Sequence, residues 1–147
     1  ADGRGLAAVL SLGGSGVSLG TRFTATKESL WDDAMKSRVL ASGADQTAQT
    51  RVFDIVRGAP WPAQYPGRAL KNDFYQRWHG KEEQLQAERA DAERGYLATK
   101  PDDFSARVIW AGEGVDLVKD LPSAAELIER IVAEAAAVLA RGAGMVR

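Results

Sequence analysis

The chain has 147 residues, 45% hydrophobic and 27% charged, and 19 Lys and Arg against 20 Asp and Glu leave a formal charge of -1. That length suits one compact domain with a sizeable core, and a pI of about 5.9 lacks the basic excess by which dedicated nucleic-acid binders displace counterions. With no Cys and a single His, His79, disulfides, thiolate metal sites, Cys nucleophiles and multi-His zinc sites are excluded; no apolar run reaches the roughly 20 residues of a membrane-spanning helix, so a cytoplasmic location is expected.

In chain order, Leu6, Ala7, Ala8, Val9, Leu10 and Leu12 are helix formers closed by Gly13 and Gly14, which predicts a short helix over 5–13. Residues 16–19 then read as a short buried strand, and 20–23 as the loop leaving its C-terminal end. Thr24 or Thr26 is the expected cap of a helix carrying Leu30, Trp31, Ala34, Met35 and Val39 and stopped by Gly43. Val52, Phe53, Ile55 and Val56 predict a strand within 50–56. Gly58, Pro60, Pro62, Pro66 and Gly67 make the best candidate linker. A helix is expected over 69–78, with Leu70, Phe74 and Trp78 on one face and Gly80 at its end.

Residues 81–103, with four basic and seven acidic side chains, read as a solvated helical surface. A short strand is predicted at 108–110, followed by a glycine turn over 111–114. The last helix has the clearest signature: Ser123 and Glu126 form a capping box behind Pro122, and Leu127, Ile128, Ile131, Val132, Ala135, Val138 and Leu139 give an apolar stripe ending at Gly142.

Chemistry is sought first at the glycines. A glycine after a strand lets the backbone approach a ligand closely, and successive N–H groups make a concave anion site. Gly20 and Thr21 follow the expected strand at 16–19, and Asp2-Gly3 before the first helix is a candidate second arm, an arrangement that matches two successive βα units of a phosphate-binding parallel barrel. Arg4 and Arg22 flank this place, although an Arg beside a carboxylate such as Asp2 is more often a structural pair. Trp61, Trp78 and Trp110 read as packing anchors. Asp32-Asp33 and Asp102-Asp103 read as solvated surface, and His79 as a cation at a helix end.

The runs Ala-Asp-Gly-Arg-Gly-Leu-Ala-Ala-Val-Leu-Ser-Leu-Gly at 1–13 and Gly-Val-Ser-Leu-Gly-Thr-Arg-Phe-Thr-Ala-Thr at 16–26 resemble the nitronate monooxygenase family, formerly 2-nitropropane dioxygenases. The likeness continues through Arg51-Val52-Phe53, Arg68-Ala69-Leu70-Lys71-Asn72 and Val108-Ile109-Trp110-Ala111-Gly112-Glu113-Gly114-Val115. It implies an α/β fold: the C-terminal portion of a TIM (β/α)8 barrel, with the last βα units at 1–43, plus a mainly helical C-terminal extension at 44–147 packing on the barrel. Ala1-Asp2-Gly3 would be the tail of the loop after strand seven, and 16–19 strand eight.

The resemblance also implies FMN as cofactor, with its phosphate held by backbone groups of Ser18, Leu19, Gly20 and Thr21 and by Gly3 as a second arm. Ser18 stands where relatives often carry a larger polar residue, which leaves a backbone role there. The implied activity is oxidation of alkyl nitronates or nitroalkanes with molecular oxygen. No residue of the chain takes the catalytic role, because the family's catalytic His precedes this region, and His79 does not stand in for it.

A whole barrel needs about 250 residues, so the chain is read as beginning in mid-fold, a C-terminal fragment whose partner is the missing N-terminal part of the barrel. Alone it is expected to be inactive and unstable. Two other readings stay open: a flavin-dependent enoyl reductase-like enzyme using NAD(P)H and a fatty acyl thioester, and a catalytically silent helical remnant binding a partner through the stripe at 127–139.

Overall fold

The computed structural model describes residues 2–145. The chain divides into two units, one formed by 2–41 with 114–145 and the other by 42–113. The last part of the chain, from Gly114, clusters with the first unit rather than with the residues that precede it.

In the first unit, α1 (Gly3–Ser11) begins where the Asp2 carboxylate accepts the N–H of Gly5 at 3.1 Å, and ends at Leu12. Gly13 then takes φ +89°, the left-handed turn that glycine permits. This helix packs on α8 (Ala124–Met145), which starts with the expected box: Ser123 Oγ accepts from Glu126 N–H at 3.2 Å while Glu126 Oε2 accepts from Ser123 N–H at 2.7 Å. Gly142 does not stop α8, which runs on to Met145. Only part of the stripe faces inward. Leu127, Ile131 and Ala135, four residues apart, are buried, whereas Ile128 and Val132 are 51% and 55% exposed.

The contact between α1 and α8 depends on Gly3. A Cβ there would stand 2.5 Å from the Ile131 carbonyl oxygen and 2.7 Å from the Ala135 nitrogen, closer than any side chain allows.

The strand expected at 16–19 does not form a ladder within the described residues. A strand is defined by hydrogen bonds to a neighbour, and none pairs with this segment. After α2 (Thr21–Thr24), the expected helix begins at Asp32 rather than Thr24 or Thr26, giving α3 (Asp33–Leu40). Asp32 Oδ1 accepts the Met35 N–H at 2.7 Å, while the hydroxyls of Thr24 and Thr26 donate back to the carbonyls of Thr21 and Phe23 at 2.7 and 2.9 Å. Leu30, expected on the apolar face, is fully exposed.

In the second unit, β1 (Thr47–Thr50) pairs antiparallel with β2 (Gly67–Leu70) in the register Thr47 to Leu70 and Thr50 to Gly67. Between them the predicted strand is a helix, α4 (Val52–Val56). Thr50 Oγ1 accepts the Val52 N–H at 3.2 Å and turns the chain, and Val52, Phe53, Ile55 and Val56 are all buried. An alternating strand would have turned half of them outward, so burial overrides β-propensity. The proline segment that follows joins α4 to β2 inside this unit, so it is a loop of the unit rather than a linker.

Residues 69 and 70 belong to β2, and the next helix, α5 (Asp73–Trp78), is capped by Asn72, whose side-chain oxygen accepts the Tyr75 N–H at 2.9 Å. Gly80 closes it at φ +79°. The acidic stretch forms α6 (Glu82–Ala87) and α7 (Arg89–Ala98). Phe53 stacks on Phe74 at 5.8 Å and meets Trp110 edge-on at 6.1 Å, and Phe74 meets Tyr96 at 5.5 Å. Residues 108–110 make a single antiparallel bridge, Ala69 to Trp110. Trp78 is buried and Trp110 half-buried, but Trp61, expected to pack, is 59% exposed.

Helix therefore dominates, with one two-stranded antiparallel sheet among the described residues; the parallel strands of the expected α/β portion are not paired there. No helix of the described residues is long and apolar enough to cross a membrane.

Candidate functional site

The expected anion site is the loop entering α2. Ser18 and Gly20 are exposed, Leu19 and Thr21 half-buried. The carbonyl of Gly20 accepts the N–H groups of Phe23 and Thr24 at 2.9 and 3.3 Å, and so fixes the turn. The N–H groups of Ser18, Leu19 and Gly20 donate to none of the described residues. A Cβ at Gly20 would meet nothing within 4 Å. Backbone donors here are open to a ligand approaching from solvent, which is what an anion-binding loop requires.

The loop is anchored by its next residue. Arg22 keeps its side chain 2% exposed and pairs with Asp120 Oδ1 at 2.5 Å, while also donating to the carbonyls of Ala25 and Asp120 at 3.2 and 3.3 Å. Asp120 is clasped from the other side by Arg130, at 2.6 and 3.2 Å. Burial pulls the Arg22 guanidinium below its ordinary pKa, with Asp120 opposing that pull. The Asp120 carboxyl is held below the usual carboxylate range, first by its hydrogen bond from Arg130 and further by Arg22. A guanidinium enclosed in this way orients the loop.

Arg4 likewise pairs with Asp2, at 2.6 Å on the surface. Both arginines are thus committed to carboxylates, as the structural reading of them expected.

Gly3 sits differently from the 18–21 loop. It is buried against α8, and its N–H donates to Glu134 Oε2 at 2.8 Å. A carboxylate already occupies this donor at the start of α1, a favourable place for negative charge. Ala1, which begins the expected loop tail, lies outside the described residues. His79 lies in the second unit, half exposed, stacked on Tyr75 at 4.6 Å and 3.7 Å from Glu82.

Sequence reading missed Asp120, Arg130 and Glu134. Asp120 is 98 residues from Arg22, and no local pattern pairs them. Glu134 had a signal, being a carboxylate set beside Ile131, Ala135 and Val138 on the inner part of an apolar stripe.

The family model described as nitronate monooxygenase matches residues 1–134. The chain is 31% identical over 147 residues to the nitronate monooxygenase npaC of Metarhizium robertsii, a match that covers 94% of this chain and 40% of that protein. Among solved structures, the nitroalkane oxidase of Streptomyces ansochromogenes superposes with a TM-score of 0.69 at 30% identity, over 97% of this chain and 38% of that one. FabK of Thermotoga maritima gives a TM-score of 0.76 at 24% identity, over 99% and 45%, a likeness of fold. The chain spans less than half the length of each of these proteins. With the family's match running unbroken from the glycine loops through the capping box of α8, the chain belongs to the nitronate monooxygenase family.

Proposed function

We propose that the chain is part of an FMN-dependent oxidoreductase of the barrel type that oxidises alkyl nitronates or nitroalkanes with molecular oxygen. In this reading residues 1–43 supply the last βα units of the barrel, and backbone N–H groups of Ser18, Leu19, Gly20 and Thr21 hold the FMN phosphate. The single observation that carries it is the open backbone at 18–20, where three donors make no bond to the described residues and Gly20 leaves its approach clear. FMN, when bound, supplies the redox chemistry, and the protein supplies binding and orientation.

The chain's own work is then electrostatic and steric. Successive N–H groups without partners at 18–20 are donors that an anion would take up. The buried Arg22 guanidinium, paired with the half-exposed Asp120, keeps that loop from swinging. Gly3 serves as a second arm when the Glu134 carboxylate yields its N–H, since one donor cannot serve two anions at full strength.

Gly20→Trp tests the reading in the complete enzyme. The new side chain meets no protein atom within 4 Å of its Cβ, and circular dichroism matching the parent's checks that the fold is kept while the phosphate is blocked. Flavin content, read from absorbance of the purified protein, is expected to fall to a small fraction of wild type. Undiminished flavin would overturn the site and favour the silent-remnant reading. Oxygen uptake with a nitronate, against NADH oxidation with an enoyl thioester, separates the proposed activity from an enoyl reductase-like one.

A further inference from the structure

The loop between α4 and β2 carries two large aromatic side chains in the open, Trp61 at 59% exposure and Tyr65 at 64%. The loop is nevertheless fixed. Pro60, Pro62 and Pro66 lock φ, Trp61 N–H donates to the Ala59 carbonyl at 2.8 Å, and the indole Nε1–H donates to the Tyr65 carbonyl at 2.5 Å. These rings line an open cavity of about 700 Å3, together with Trp110, Asp54 and Arg57. Trp110 is held as firmly as Trp61: its ring lies so close to Gly67 that a Cβ there would stand 2.5 Å from Cζ3, and it packs edge-on against Phe53. The volume suits a small organic molecule, and rigid exposed aromatic groups around a concavity mark a binding surface.

Asp54 adds the polar half of the recognition. Its Oδ2 is buried without a hydrogen-bond partner among the described residues, and buried polar groups in folded proteins are nearly always satisfied. Burial pushes its carboxyl up, with Arg57 and Arg51 pulling partly back. Asp54 also lines the cavity, so its other carboxylate oxygen can accept from a donor placed there.

We propose that this cavity binds a planar nitrogen heterocycle bearing an N–H donor, the ring resting on the Trp61 and Trp110 side and the N–H group donating to the Asp54 carboxylate. The site lies wholly within the second unit and is independent of the flavin reading. Arg57 at its edge suits an anionic substituent on the same molecule.

Equilibrium dialysis of the full chain against labelled adenosine tests this, with purine riboside, which keeps the ring and lacks the amino group, as the matched probe. Adenosine is expected to bind saturably at one site and about tenfold more weakly in Trp61→Ala, the size of effect that loss of one stacking partner produces. Purine riboside should bind more weakly than adenosine to the wild-type chain, and that difference should vanish in Asp54→Leu. Trp61 is on the surface, so its variant should keep the circular dichroism of the parent. Absence of saturable adenosine binding, undiminished binding in Trp61→Ala, or an unchanged preference for adenosine in Asp54→Leu would each overturn the proposal.

Discussion

Gly3 and Gly5 lie two residues apart on α1, and replacing each by alanine is expected to act with opposite sign. At Gly3 the added carbon would stand 2.5 Å from Glu134 Cβ, 2.5 Å from the Ile131 carbonyl oxygen and 2.7 Å from the Ala135 nitrogen. Two of these atoms are α8 backbone, so no rotamer change relieves the contact, and the helices must part by about 1 Å to restore ordinary separations. Overpacking of this kind costs about 1–3 kcal/mol. Parting also stretches the bond from Gly3 N–H to the Glu134 carboxylate, a class of hydrogen bond that contributes about 1.5–3 kcal/mol. Together they remove about 2.5–6 kcal/mol, a large share of the roughly 5–15 kcal/mol that holds a domain folded.

At Gly5 the nearest atom is Asp2 Oδ1 at 3.9 Å, and alanine there gains about 0.5–1 kcal/mol of helix propensity. Urea unfolding followed by far-ultraviolet circular dichroism measures both. Gly3→Ala should lower the midpoint by more than about 1 M, and Gly5→Ala should raise it slightly. A Gly3→Ala variant as stable as the parent, or a Gly5→Ala variant that falls with it, would refute the close packing of α1 on α8.

Asp120→Ala should cost about 1.5–3 kcal/mol in the same assay, because it removes the charged hydrogen-bond partner of the buried Arg22 guanidinium, which keeps its bonds to the Ala25 and Asp120 carbonyls. Arg130→Ala removes only a half-exposed partner and should cost under about 1 kcal/mol. The Asp120 carboxyl is held down in the folded chain, so its contribution is complete above about pH 4 and is lost as pH falls through its lowered folded value; Asp120→Asn should flatten that acid limb of the stability curve. Asp54 has the opposite sign. Its carboxyl is pushed up by burial, so Asp54→Asn should stabilise the chain at neutral pH, and the gain should disappear below about pH 4. Ser123→Ala should cost about 1 kcal/mol and shorten α8, seen as lost helicity.

Local chemistry made several elements legible in the sequence. The capping box at Ser123 and Glu126, the glycine close of α1 and the end of α5 at Gly80 each involve residues a few positions apart, whose hydrogen bonds or φ values are set within one turn. Family membership was legible for a related reason, since it rests on ordered short motifs along the chain. The misreadings share a cause as well. Val52 to Val56 carries strand residues but is helical because helix buries nearly all of them at once, and 16–19 pairs with no strand among the described residues.

The sequence alone determined the capped start of α8, the glycine ends of α1 and α5, the solvated acidic helices and the glycine loop that the flavin reading needs. Tertiary structure alone decided which residues meet: Arg22 with Asp120 across 98 positions, Gly3 with Glu134 across 131, and Trp110 against Gly67. Hydrophobic periodicity says that a face must be covered but not by what, whereas a buried charge or a missing Cβ is explained only by the particular atoms that come to lie against it.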